Sequence, residues 1–260
     1  MADQNTFAEY PPRVQLFGID IDPFTMEQTV SKAGDLVESG SFAHLIGVNA
    51  DKVLQIRESD EMREIVERCE IVNADGASML IAAKKLDVAI PERVAGIDLM
   101  YRLCELCEQR GFSVYLLGAK EEVVVKTRDV LLGLYPRLNI CGVHDGYFSE
   151  DEYGTIAELL DTVKPQMVFV GITSPKKERL IEYLREYGVK GAYVGVGGSF
   201  DVVSGNIARA PKWMQKAKLE WLFRMMQEPG RLLKRYLIGN TRFMLLLSKE
   251  QKKKKAGVRS

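Results

Sequence analysis

Short continuous apolar runs alternate along this chain with longer stretches in which apolar residues return every three or four positions. Runs bounded by Gly, Asp or Asn are the pattern of strands buried on both faces, and the 3.6-residue period is that of amphipathic helices. The runs fall at 14–21, 44–49, 71–74, 113–118, 139–143, 167–172 and 192–196. Helical periodicity fills the intervals. Thr25 caps a helix with Val30, Ala33 and Val37 on one face, and helices follow at 50–56, 61–68 and 77–83. Gly96 and Asp98 open another that runs to Arg110 and closes at Gly111. Further helices are predicted at 120–135, after the Ser149/Glu152 capping box, and from Pro175. This alternation predicts an α/β protein: a Rossmann-like parallel sheet flanked by helices. No apolar run approaches the ~20 residues that span a bilayer.

In such a sheet, ligands bind beyond the carboxyl ends of the strands. The stretch 71–78, IVNADGAS, reads as strand, tight turn and helix start, which places Asp75 at such an end with Gly76 turning the chain beneath it. Asp75 is then either a cleft carboxylate able to act as a general base or simply the cap of the next helix. Other strand ends carry Asn49, Gly118-Ala119, Asp145-Gly146-Tyr147, Gly171 and Gly197-Gly198, where a bare backbone admits a ligand closely. The run Gly195-Val196-Gly197-Gly198 is no dinucleotide fingerprint, because Phe200 stands where the third glycine belongs, and no phosphate-loop pattern occurs.

Composition narrows the class. The chain has 260 residues, 46% hydrophobic and 28% charged, as in a globular protein. The N-terminus has neither a basic start nor an apolar core, and Cys69, Cys104, Cys107 and Cys141 have apolar neighbours and no secreted spacing. Reduced thiols and a cytoplasmic location are expected. Asp20 and Asp22 have the spacing of a metal-binding Asp-x-Asp, which would suit a metal-dependent nucleotide-sugar enzyme, but a solvated strand end explains them equally. Cys104 and Cys107 lie within a helical pattern and read as core, with no histidine near to complete a zinc site. Of the two histidines, His44 and His144, only His144 adjoins a strand-end turn.

The zero net charge conceals a split. Residues 208–260 carry 15 Lys and Arg against 3 Asp and Glu, leaving 21 against 33 in residues 1–207. This divides the chain into an α/β body (1–207) and a basic helical appendage (208–260). In the appendage, Trp213, Leu222 and Met226 share one helical face and Trp221 and Met225 another, with a break at Pro229-Gly230. Basic amphipathic helices of this kind lie on anionic membranes, although a helix pair docked on the sheet has the same pattern. The aromatics do not form the extended stacking platform of a nucleic-acid binder.

Seven segments resemble one family in order: NADGAS at 73–78, RVAGIDL at 93–99, YLLGA at 115–119, GVHDGYF at 142–148, VFVGITSPKKE at 168–178, GVGGSFDVVSG at 195–205 and the long block at 209–236. Together they are similar to the WecG/TagA/CpsF family of bacterial glycosyltransferases, over nearly the whole chain. The resemblance implies transfer of a sugar, with inversion and with neither metal nor other cofactor, from a UDP-sugar to a polyprenyl-diphosphate-linked sugar. It places the enzyme at the inner face of the cell membrane, in teichoic acid, capsule or other surface polysaccharide synthesis. It implies Asp75 as catalytic base and Asn49 and Arg93 near the donor sugar. It further implies that Tyr147 and Asp201 line the nucleotide pocket, with Gly118, Gly197 and Gly198 at its strand ends and Lys177 also in the donor-binding set. By the same resemblance, Arg224 and Arg231, with Lys234 and Arg235, are expected to contact diphosphate and membrane. Family members assemble in different ways, which leaves a homo-oligomer open. Three departures stand out: Gly47 where members often have Thr, Lys177 where they usually have Gln, and Ala50 in place of the frequent Pro after Asn49. They raise the alternative of a membrane-associated UDP-sugar-binding protein that has kept the fold without the activity.

Overall fold

The computed structural model describes residues 10–216 and 219–257, without the side chains of 215–216 and 231–236. The first apolar run is not one strand. It is a hairpin of β1 (Val14–Leu16) and β2 (Ile19–Ile21) around Phe17 and Gly18, both with positive φ (59° and 76°), the backbone of a two-residue primed turn. Asp22, just past β2, ties the hairpin to the main sheet: its backbone N–H donates to the Val72 carbonyl and its carboxylate accepts from the Val72 N–H and from Arg13. Asp20 is exposed and accepts from Gln15. The two carboxylates therefore do not share a face.

After α1 (Met26–Glu38), which carries the Thr25/Gln28 capping box, the chain enters β3 (Phe42–Val48). It continues through α2 (Ala50–Glu58), α3 (Asp60–Glu67), β4 (Ile71–Ala74), α4 (Ala77–Leu86), α5 (Gly96–Arg110) and β5 (Ser113–Gly118). Then come α6 (Glu121–Leu134), β6 (Asn139–His144), a 3-10 turn, α7 (Tyr153–Val163), β7 (Met167–Gly171), α8 (Lys176–Tyr187) and β8 (Gly191–Gly195). Strands β3 to β8 form one six-stranded sheet in the order β4-β3-β8-β7-β5-β6, with every pairing parallel. Successive side chains of a strand serve opposite faces: Ala43 and Leu45 join a core with Leu103 of α5 and Val124 of α6, while Ile46 and Val48 join one with Val53 of α2 and Met79 of α4. Both faces are thus covered, the condition under which parallel strands read as unbroken apolar runs.

The C-terminal segment comprises α9 (Ser199–Val203), α10 (Lys212–Lys216), α11 (Glu220–Gln227) and α12 (Pro229–Lys255). Trp213 and Leu222 therefore lie on separate helices and share no single helical face. The lysines at 252–255 continue α12. The distal half of α12 is also core: Phe243, Leu246 and Leu247 are buried with the α2 and α4 side chains, and Phe243 packs edge-on against Phe17 at 5.2 Å. Ion pairs from Arg242 to Glu58 and from Lys254 to Asp87 hold the helix to the acidic body, so part of the appendage's charge is answered within the chain. Cys69, Cys104 and Cys107 are buried as expected, but Cys141 is exposed because it sits on β6, the edge strand.

Candidate active site

The carboxyl ends of β3, β4, β7 and β8 open into a cavity of about 990 Å³, with α11 and α12 contributing to its wall. Asp75 lines it, immediately after β4. It does not cap α4: the N-cap is Gly76, with φ of 102° and no side-chain cap bond. The carboxylate is set by the fold from three sides. Its own N–H donates to the Val48 carbonyl, and the Gly96 N–H at the start of α5 donates to the carboxylate. The bare Cα of Gly47 lies beneath it; a Cβ there would sit 3.0 Å from the Asp75 Cβ.

Burial raises the Asp75 pKa, and the Glu220 carboxylate adds to the effect. Arg93, the Gly96 N–H and Lys177 pull it back, and the balance is a value of about 6. A carboxylic acid near 6 is tuned for proton transfer around neutral pH. Arg93 does not stand alone beside it: Glu220, at the start of α11, lies 2.6 Å from the Arg93 guanidinium. Arg209 reaches Asp98 at 2.5 Å and Glu220 at 4.0 Å. Arg224, also on α11, approaches the Gly198 carbonyl at 3.4 Å and Glu228 at 4.0 Å. The C-terminal segment thus brings both carboxylate and guanidinium groups over the strand ends.

On the opposite side, Lys52 of α2 and Lys177 of α8 both pair with Oε1 of the fully buried Glu178, at 2.7 and 2.6 Å. Lys52 also donates to Ser174 Oγ at 2.6 Å and Gln55 Oε1 at 3.1 Å. The two ammoniums keep Glu178 ionised far below the usual carboxylate range despite its burial.

The cavity brings together Asp75, Asn49, Arg93, Lys177, Gly197, Gly198 and Arg224. Asn49 also holds the backbone, because its Oδ1 accepts from the Lys52 N–H and caps α2. Asp201 stands behind the rim, where it accepts from Asn206 and lies beside Gly198. Gly118 and Tyr147 belong to the β5–β6 side of the sheet edge and do not line the cavity. Gly118, with φ of 136°, is pressed against the Gly171 backbone, and Tyr147 is exposed on the turn after β6. Arg231, Lys234 and Arg235 fall on α12, and their side chains lie outside those described. Sequence reasoning missed Lys52, Ser174, Arg209 and Glu220, all lining residues drawn from separate elements.

The family model described as the glycosyl transferase WecG/TagA/CpsF family matches residues 14–257. The chain belongs to that family. Membership makes it a glycosyltransferase, with a sugar donor and an acceptor as its substrates. The match spans both the sheet and the C-terminal helices that border the cavity. His44 and His144 take structural places in this frame. His44 is fully buried, with Nδ1 3.3 Å from Cys69 Sγ, and His144 Nδ1 lies 2.8 Å from the Asp145 carbonyl.

Proposed function

We propose that this glycosyltransferase moves a sugar from a UDP-sugar to a sugar carried on a polyprenyl diphosphate, such as undecaprenyl diphosphate, in bacterial surface-polysaccharide synthesis. The observation that carries the reading is Asp75: a carboxylate lining the strand-end cavity, uninvolved in helix capping, with a pKa of about 6. Asp75 takes the proton of the acceptor hydroxyl as its oxygen bonds to the anomeric carbon. The bond from that carbon to the phosphate oxygen breaks on the opposite face, UDP departs with the electron pair, and the centre inverts. Guanidiniums from Arg93, Arg209 and Arg224 supply positive charge to the diphosphate, a role that metal-independent transfer leaves to side chains. The uridine end reaches toward Tyr147 and Gly118 along the sheet edge.

The acceptor sits at the inner face of the cell membrane. Exposed apolar side chains concentrate in the C-terminal segment: Trp213, Met226, Leu237, Ile238, Met244 and Leu245, with lysines and arginines among them. Apolar groups flanked by cations suit an anionic bilayer surface. No helix among the described residues is long and apolar enough to cross a membrane, so the contact proposed is peripheral.

The test is UDP release from a panel of UDP-sugars in EDTA, with and without a short-chain polyprenyl-diphosphate-sugar. Acceptor-dependent release with one donor supports the reading. UDP binding with no release from any donor would favour the inactive sugar-nucleotide-binding alternative, and release that EDTA abolishes would contradict metal-independence.

A further inference from the structure

The wall of the cavity is uneven. From α2, α8 and the turn before α8 come polar groups: Lys52, Gln55, Ser174 and Lys177. From α4, α11 and α12 come Ile81, Trp221 and Met244. These three line the cavity and are also exposed, at 46%, 40% and 47%. The cavity therefore reaches solvent across apolar side chains on this side. Gly239 of α12 shares the wall with its helix surface bare, since a Cβ there would meet nothing within 4 Å.

The register of the two long walls brings Ile81 and Met244 close. Lys254 of α12 bonds to the Leu86 carbonyl and Asp87, and Gln251 reaches the Lys85 carbonyl, so α12 and α4 run alongside each other in the same direction. Stepping back along both at about 1.5 Å per residue puts Met244 within about one turn of Ile81. Each helix is also apolar on more than its core face. Phe243, Leu246 and Leu247 fill the core, whereas Leu237, Thr241, Met244, Leu245 and Ser248 form one exposed stripe at i, i+4, i+7, i+8 and i+11. On α4, Met79, Ala82 and Ala83 are buried, while Ile81 is exposed with Lys84 and Lys85 on the same face.

We infer that the prenyl chain of the acceptor leaves the cavity between α4 and α12, across Ile81, Trp221 and Met244, so that these side chains select lipid-linked over soluble acceptors. This rests on the reading above that the acceptor is carried on a polyprenyl diphosphate. Such an acceptor joins, in order, a sugar, a diphosphate and a chain that water rejects. With the sugar at Asp75 and the diphosphate at the guanidiniums, the chain has to leave over an apolar wall. The path is short: Asp75 lies two residues before α4, and Ile81 is about 6 Å along that helix from Ala77. Beyond the mouth the chain enters the bilayer beneath the open stripe of α12, with Lys84 and Lys85 toward anionic headgroups. A helix of the α/β body thus joins the C-terminal segment in the lipid contact.

The experiment uses the full-length protein in solution. Two acceptors carry the same sugar diphosphate, one on a farnesyl and one on a methyl group, and calorimetry compares farnesyl diphosphate with methyl diphosphate. The wild type should favour the farnesyl member of each pair by at least about tenfold. Ile81→Ser combined with Met244→Ser should bring both ratios close to one. Leu134→Ser, which removes an exposed leucine of α6 outside the cavity wall, should keep them. Retained UDP binding reports that each variant is folded. A wild-type ratio near one, or a ratio that survives in the double variant, would overturn the inference while leaving glycosyl transfer intact. A double variant that keeps the ratio in solution but fails on acceptor embedded in anionic vesicles would overturn it too, assigning Ile81 and Met244 to the bilayer instead of the chain. Tighter binding of farnesyl diphosphate, lost in the double variant, with no turnover from any donor would uphold the prenyl site and refute the transfer reading.

Discussion

Acidification should slow this enzyme through Asp75, and Glu220 should set where the decline begins. With a pKa of about 6, roughly nine-tenths of Asp75 is ionised at pH 7 and roughly one-tenth at pH 5, so kcat/KM falls about tenfold over that interval. A carboxylate at the ordinary aspartate value would lose less than about a tenth of its ionised form over the same range. Burial is the main cause of the raised value, and the Glu220 carboxylate pushes in the same direction. Glu220→Gln removes that repulsion and unpairs Arg93, whose charge favours the ionised base. Both changes move the acid limb to lower pH. The assay is kcat/KM from initial rates of UDP release at saturating acceptor, between pH 5 and 8, for wild type and Glu220→Gln. A wild-type profile flat from pH 7 to 5 would refute the perturbed carboxylate as base. A limb that stays put or moves upward in Glu220→Gln would refute the electrostatic role given to α11.

Three further outcomes follow from packing and charge. Phe243→Ala removes a buried ring from the core shared with α2 and α4 and should destabilise the protein by about 3–5 kcal/mol in urea unfolding; a loss near zero would mean that α12 does not dock. Glu178→Gln leaves two buried ammoniums without their carboxylate and should cost about 3–5 kcal/mol in the same assay at pH 7, whereas an unchanged midpoint would remove the cluster from the stability of the fold. Co-sedimentation with vesicles should be strong with anionic lipid at low salt, fall as salt rises, and weaken when Leu237 and Leu245 are both changed to Ser; equal binding to neutral vesicles would contradict the cationic, peripheral contact.

The sheet was legible because each parallel strand is buried on both faces and shows as an apolar run, and its ends fell within two residues of expectation. The 14–21 run misled because Phe17 takes a left-handed turn conformation that an aromatic residue does not advertise, so the hairpin read as one strand. In α12, Phe243, Leu246 and Leu247 have the spacing of a helix face turned to a core or to a membrane, and periodicity cannot separate the two; only tertiary placement does. Asp75 could be found because strand, acid, glycine and helix follow one another locally. Its competing role as a cap was settled by the backbone, which gives that position to Gly76. Lys52, Ser174, Arg209 and Glu220 carry no such local mark, since they meet Asp75 and Lys177 only when four strand ends and α11 converge.

The decisive comparison is acceptor-dependent UDP release in EDTA at pH 7.5 by the wild type and by Asp75→Asn, each with the best donor of the panel. Asn keeps the shape of the side chain and removes the base. The wild type should transfer sugar, and the variant should do so at a rate about 10²- to 10⁴-fold lower, with UDP affinity retained. Equal rates in the two proteins would remove Asp75 from the chemistry and leave the cavity without its base.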